Sequence, residues 1–282
     1  MGKKEAFLLL RKKHRSKNKL SIFYLVSFIL IAFLGCRPST KEGAVITIAG
    51  STSVQPFAEK LAEVYMGHHR GAIINVQGGG STAGIRSVKG GAANIGSSSR
   101  ELMKDEKNLK EFVIAWDGIA IIVHPENKLK DLSLGQLRDV FAGRIKYWFE
   151  LGWVHKNIHF VTREEGSGTR NAFEELVMHD VSISDEALVE DSNGSVREIV
   201  AHDPNAIGYI SYGIVDERVK ALKIGGIEPN LETIKKKKYR LTRPFLFVTR
   251  VEPQGLAKDF IKFILSPGGQ KILEKEGLVG IR

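Results

Sequence analysis

The sequence predicts an α/β fold. A unit of short apolar strand, small-residue turn and amphipathic helix recurs along the chain. The turns share one composition, Gly, Ser and Thr with an occasional Arg, and each follows a predicted strand. The 282 residues, 43% of them hydrophobic, suffice for the core of one or two domains.

The first unit is the strand 45–49, the turn Gly50-Ser51-Thr52-Ser53 and a helix whose apolar positions Phe57, Leu61, Val64 and Tyr65 have helical spacing. Pro56 suits the first turn of that helix. The second unit is the strand 73–76, the glycine-rich turn 78–84 and a helix starting near Ile85. A short strand at 93–96 ends in Ser97-Ser98-Ser99-Arg100. Residues 112–123 are a long apolar run broken by Asp117-Gly118, read as two strands or one bent strand, and its length suits a crossing between lobes. Asp117 is either a turn residue before Gly or a buried carboxylate, which would need partners. A short helix at 134–141 and a loop with Tyr147, Trp148 and Trp153 follow.

The strand 158–161 leads into the most informative stretch, Arg163-Glu-Glu-Gly-Ser-Gly-Thr-Arg170, and then a helix from Asn171 to Met178. Backbone N–H groups at a helix start favour an anion in front of them. Gly166 and Gly168 allow close approach. Ser167 and Thr169 add hydroxyl donors, and Arg163 and Arg170 offer planar forks suited to a tetrahedral oxyanion. With the turns at 51–53, 78–84 and 97–100, four hydroxyl-rich loops stand at strand exits, where ligands of open α/β sheets bind. Further on come a helix at 195–200 with Ser195 and Glu198 spaced as a capping box, and a strand at 206–212. Lys235–Lys238 reads as a solvated loop, since no aromatic platform is interleaved with it. A strand at 245–248 and two C-terminal helices, split at Ser266-Pro267-Gly268-Gly269, complete the chain.

The net charge of +10 invites a polyanion partner, but its distribution argues against nucleic acid. Residues 1–35 hold eight Lys/Arg and one acid, +7 of the +10, which leaves +3 for the rest. This basic segment precedes the apolar run Ile22 to Leu34, too short for an ordinary span and suited to a signal peptide. Gly35 and Cys36 follow. Cys36 is the sole cysteine, so no internal disulfide forms. Its position resembles the lipobox of bacterial lipoproteins, with Phe33 where Leu is usual. Residues 1–35 are therefore expected to be a lipoprotein signal peptide. Residues 36–43 are expected to be a lipidated tether holding the folded part outside the cytoplasmic membrane, in the periplasm or at the cell surface.

The segments 49–56, 78–84, 95–101, Asp117-Gly-Ile-Ala120, 163–170, Ile207-Gly-Tyr209 and Arg243-Pro244 together resemble the phosphate-binding lipoproteins of bacterial ABC-type phosphate importers, among the periplasmic-type solute-binding proteins. The resemblance runs in family order from about 45 to 280. It implies a two-lobed periplasmic-binding-protein fold, type II-like, with a ligand cleft between lobes joined by a crossover hinge. Residues 44–120 would form the first part of lobe 1, 121–215 lobe 2, and 216–282 the return to lobe 1. It implies inorganic phosphate as ligand and the permease subunits of an importer as partners. The phosphate-binding residues carried over are Thr52, Ser53, Ser81, Arg163, Ser167, Gly168 and Thr169. Ser99, or Ser98, stands where better-known members carry the aspartate that accepts the phosphate proton. Glu165 stands where they carry another aspartate, two residues after the arginine. The acceptor is open between Glu165, which could instead pair with Arg163, and Asp117; Arg170 is a further candidate contact.

Other classes fit less well. A nucleophilic role for Ser167 needs a base within hydrogen-bond reach. The eight histidines are scattered, and His155 and His159 lack the Glu of a zinc helix. No phosphate-loop Gly-Lys-Ser/Thr and no metal constellation occur, so no catalysis, cofactor or metal is expected. Two alternatives stay open: the same fold tuned to sulfate or molybdate, and a signalling or adhesion lipoprotein.

Overall fold

The structure is a computed structural model and describes residues 44–281. The expected signal peptide, the tether and Cys36 lie outside the described residues. Among the described residues no helix is long and apolar enough to cross a membrane.

The first part of the chain forms β1 (Val45–Gly50), α1 (Gln55–His68), β2 (Ile73–Gln77), α2 (Ser81–Gly90) and β3 (Ile95–Ser98). The three strands pair in parallel in the order β2-β1-β3. Helix α1 buries Phe57, Ala58, Leu61, Ala62 and Tyr65, one face at helical spacing. Helix α2 starts at Ser81, four residues before the expected start, because only Gly79 and Gly80, at φ 134° and 89°, are needed to turn the chain.

Residues 110–123 form one continuous strand, β4 (Lys110–Val123). Then follow β5 (Asp131–Leu132), α3 (Leu134–Phe141), β6 (His159–Arg163) and α4 (Gly168–Phe173), which continues as a π-helical turn over Glu174–Met178. Next are β7 (Leu188–Glu190), α5 (Asn193–His202), β8 (Ala206–Ser211), β9 (Lys220–Ala221), β10 (Lys223–Ile224) and α6 (Leu231–Lys235). β11 (Thr242–Thr249), α7 (Gly255–Leu265) and α8 (Pro267–Lys275) end the chain. Helix α5 begins earlier than expected: the Ser192 hydroxyl accepts from Ser195 N–H, so Ser192 and not Ser195 is the cap. Lys235–Lys238 are all exposed, and the Lys237 ammonium lies 5.6 Å above the Trp116 ring.

The main sheet runs β2-β1-β3-β11-β4-β8-β6-β7, with β9 added beside β4. β4 is its pivot. Residues 110–118 pair antiparallel with β11, and Ile119–Val123 pair antiparallel with β8. The switch falls at Asp117-Gly118. A Cβ on Gly118 would stand 2.7 Å from Ile234 Cδ1, so a larger residue there would make the Ile234 side chain shift.

Of four buried apolar clusters among the described residues, the two largest flank this pivot. The first gathers Ile48, Phe57, Leu61, Ile95, Phe245 and Phe260. The second gathers Ile121, Phe141, Trp148, Phe173, Ile207 and Tyr209. Two hydrophobic cores joined by two crossing strands make the two-lobed α/β fold. One expected boundary shifts. β9 pairs with β4, and Leu222, Ile224, Ile234, Tyr239 and Leu241 pack in the second core. The chain thus re-enters the first core at Thr242 rather than at 216, because the apolar residues of 222–241 complete the second core.

Candidate anion-binding site

The strand exits of the two lobes meet. Ser51, Thr52 and Ser53 follow β1, Ser81 opens α2, and Ser99 follows β3; across from them Ser167, Gly168 and Thr169 open α4 after β6. Thr82 N–H donates to Gly166 C=O at 3.2 Å, tying the two sides through the backbone. The Ser53 and Thr169 hydroxyls lie 2.7 Å apart. Ser99 N–H donates to Ser81 Oγ at 3.1 Å, and Ser51 Oγ donates to Ser99 Oγ at 2.8 Å. Ser53, Ser81, Ser99, Ser167 and Thr169 are all buried. Burial of so many hydroxyls is costly unless each is bonded: Ser53 and Thr169 meet across the lobe boundary, Ser81 and Ser99 bond within the first lobe, and Ser167 accepts from Arg170 N–H.

Arg163 enters this cluster from the end of β6 and is 1% exposed. Its Nε donates to Glu164 Oε2 at 3.0 Å and to Glu190 C=O at 3.1 Å. Its Nη2 donates to Glu164 Oε1 at 3.0 Å, Asp191 C=O at 2.9 Å and Thr52 Oγ1 at 3.2 Å. The remaining nitrogen, Nη1, is buried and has no hydrogen-bond partner. Burial lowers the Arg163 pKa and raises that of Glu164, with each partner's charge opposing the shift. A guanidinium keeps its proton in proteins, so Nη1 presents a buried cationic donor.

Gly168 explains why no side chain stands at the start of α4. A Cβ there would overlap the Ser81 hydroxyl and lie 2.7 Å from Ser99 Oγ. The clash is between the lobes and leaves each lobe's own packing alone. Gly168→Ala is therefore expected to hold the lobes apart at a cost of about 1–3 kcal/mol. Oxyanion affinity measured by calorimetry should fall tenfold or more while the melting temperature without ligand stays near wild type. Unchanged affinity would show that the loops do not close as described.

The remaining expected residues are placed as follows. Glu165 is exposed and is not in the cluster; the partner of Arg163 is Glu164, the neighbour whose carboxylate reaches both Nε and Nη2. Ser98 bonds back to Arg100 C=O at 2.9 Å, within its own loop. Arg170 donates to Glu174 at 2.8 Å and to Arg163 C=O at 2.9 Å, bracing α4 rather than entering the cluster. Asp117 is buried, and its oxygens are taken: Ser211 Oγ donates to Oδ1 at 2.9 Å, and Arg243 Nε and Nη2 donate to Oδ2 at 3.1 and 2.9 Å. Burial raises the Asp117 pKa, opposed by Arg243 and Ser211.

Four participants stand in stretches the sequence singles out without giving them a site role. Ser51 and Glu164 are described above. Arg243, 1% exposed, reaches Ser53 Oγ at 3.3 Å and Ser99 C=O at 3.1 Å from behind the cluster. Asn193, at the start of α5, donates from Nδ2 to Ser53 Oγ at 2.7 Å and to Thr52 Oγ1 at 3.3 Å. Arg243 carried a sequence signal in its Arg-Pro pair opposite Asp117; Asn193, in an Asp-Ser-Asn-Gly loop, carried none beyond turn composition.

The arrangement can bind an anion with several oxygens. It offers one buried guanidinium N–H without a partner, neutral hydroxyls and the first-turn N–H groups of α4. Among the described residues the Ser167 hydroxyl is bonded to Arg170 N–H, from which it accepts, and not to a basic side chain. Among the described residues no three His, Cys, Asp or Glu side chains group to hold a metal.

Known proteins share this architecture. Residues 37–267 match the PBP superfamily domain. The chain is 32% identical over 285 residues to the phosphate-binding protein PstS of Bacillus subtilis, covering 94% of this chain and 95% of that one. A solved structure of a putative phosphate ABC transporter substrate-binding protein with bound phosphate, from Clostridium perfringens, superposes with a TM-score of 0.82 at 41% identity. That match covers 85% of this chain and all of the other. An ABC-type phosphate transport receptor from Vibrio cholerae gives a TM-score of 0.71 at 38% identity, over 83% of this chain and 99% of that chain. The chain belongs to the PBP superfamily, in the family of the PstS proteins.

Proposed function

We propose that this protein is a solute-binding receptor that captures inorganic phosphate between its lobes and delivers it to the permease of an ABC importer, without chemistry on the ligand. One observation carries the proposal: Arg163 keeps a buried cationic donor, Nη1, without a partner, while its Nη2 reaches Thr52 Oγ1 of the other lobe. Thr52, Ser53, Ser81, Ser99, Arg163, Ser167, Gly168 and Thr169 form the site. Phosphate bridges the lobes, and the closed form is what the permease reads. The bound phosphate in the Clostridium perfringens relative supports this reading.

The test is calorimetry on the full-length chain, purified in detergent and stripped of bound anion, titrated with phosphate, sulfate and molybdate. Tight phosphate binding that sulfate does not compete away is the expected result. A preference for sulfate or molybdate would keep the site and move the ligand. Absence of binding to all three would leave the signalling or adhesion reading. The oxyanion alternative has an observation in its favour: both Asp117 oxygens are committed and Glu165 is exposed, so neither carboxylate considered as proton acceptor is free to accept from the ligand.

The receptor is further proposed to sit outside the cytoplasmic membrane, held by a lipid on Cys36. Cys36→Ala is expected to release the protein from membranes in a fractionation assay and to leave phosphate affinity unchanged. Retention in the membrane fraction would refute the anchor.

A further inference from the structure

Asn193 is buried at the head of α5, in the second lobe, and meets two hydroxyls of the first. Its orientation is fixed by chemistry. Ser211 N–H can only donate, and it donates to Asn193 Oδ1 at 3.0 Å, so the amide nitrogen must face Ser53 and Thr52. The consequences for the two hydroxyls follow by counting. Ser53 Oγ accepts from Asn193 Nδ2 and from Arg243 Nη2, another group that only donates. Both its lone pairs are used, and its proton must point outward, towards Thr169 Oγ1 at 2.7 Å or a ligand. Thr52 Oγ1 accepts from Arg163 Nη2 and from Asn193 Nδ2, so its proton is likewise left to donate. A Thr169 hydroxyl that accepts from Ser53 keeps its own proton for donation.

We infer that Asn193 is a positioning residue that, on lobe closure, turns the Thr52 and Ser53 hydroxyls into obligate hydrogen-bond donors and so matches the site to an oxyanion. The inference rests on the phosphate-receptor reading above and deepens it. With the lobes apart, these hydroxyls lose the amide and can orient either way. Closure supplies the amide and sets the donor pattern, so ligand affinity and the closed state are coupled through one side chain. Asn suits the role where Asp does not. Asp would satisfy Ser211 N–H equally well, but it would draw the two hydroxyl protons to itself and add a negative charge beside the anion.

The test is a mutant cycle read as phosphate Kd by calorimetry on the full-length chain in detergent. Asn193→Ala is expected to weaken binding by about tenfold, the size of a net hydrogen bond. In a Thr52→Val/Ser53→Ala background the same change should have almost no further effect, because its targets are gone. A merely structural role would cost the same factor in both backgrounds, and that result overturns the inference. So does an Asn193→Ala protein that binds as tightly as wild type. Asn193→Asp, nearly isosteric, guards against misfolding of the alanine variant. It should bind phosphate at least a hundredfold more weakly at an unchanged melting temperature without ligand, and wild-type affinity in it would also refute the assignment. If wild type binds none of phosphate, sulfate and molybdate, the receptor reading itself fails and takes this inference with it; wild-type binding with an additive cycle removes the role of Asn193 alone.

Discussion

Arg163→Ala is expected to weaken phosphate binding by about 3 kcal/mol or more, roughly a hundredfold or greater in Kd. Three losses combine. The ligand loses the Nη1 donor, the one buried cationic N–H of this side chain without a protein partner. Thr52 loses the Nη2 contact that helps leave its proton free. Glu164, whose carboxylate faces Nε and Nη2, is left partly desolvated beside the bound anion without its counter-charge. Arg163→Lys should recover only part of the affinity. A single ammonium cannot keep the Glu164 fork, the Glu190 and Asp191 carbonyls and an inward donor together. Calorimetry with phosphate reads both variants. Wild-type affinity in the alanine variant would remove the arginine from the site and leave the hydroxyl cluster without its cation.

The second large effect is on stability. Asp117 and Arg243 face one another across β4 and β11, which pair in register at these two residues, and their side chains are 0% and 1% exposed. Asp117→Ala leaves a buried guanidinium without its carboxylate and is expected to cost about 3–5 kcal/mol. For a folded part of this size that is on the order of a 10 °C drop in melting temperature. Replacing both partners, Asp117→Ala with Arg243→Leu, should restore much of the loss, since a buried pair is worth little more than apolar packing. It should not restore phosphate affinity, because Arg243 also donates to Ser53 Oγ and Ser99 C=O behind the site. Thermal melts with and without phosphate separate the two effects. A double variant as unstable as the single one would mean that Arg243 holds the strands together by itself.

The position of this pair bears on how the lobes are joined. β4 and β11 are the strands that carry the chain between the two cores, and the pair sits where β4 changes partner from β11 to β8. Asp117 is tied to Ser211 at the end of β8, and Ser211 N–H to Asn193. The crossing strands and the hydroxyl cluster are thus joined by buried polar contacts.

Much of this was determined by the sequence alone. Strand, hydroxyl turn and helix recur in order, and local rules suffice to read them: alternating or continuous apolar residues, glycine where the chain turns, proline at a helix start. The sequence reading puts Thr52, Ser53, Ser81, Ser99, Arg163, Glu165, Ser167, Gly168 and Thr169 in one candidate site, and the structure brings all but the exposed Glu165 close to one another. What the sequence could not decide were pairings between residues far apart in the chain. Glu164 and Glu165 are adjacent and chemically alike; only the direction in which the chain leaves β6 aims the first at Arg163 and the second at solvent. Asp117 read equally as a turn residue or a buried carboxylate in need of partners, and the partner it has, Arg243, comes 126 residues later. Asn193 looked like a loop residue, because its role exists only when the second lobe meets the first. Secondary structure follows from neighbours within a few residues, whereas charge pairing and hydroxyl direction follow from tertiary contacts that no local pattern encodes.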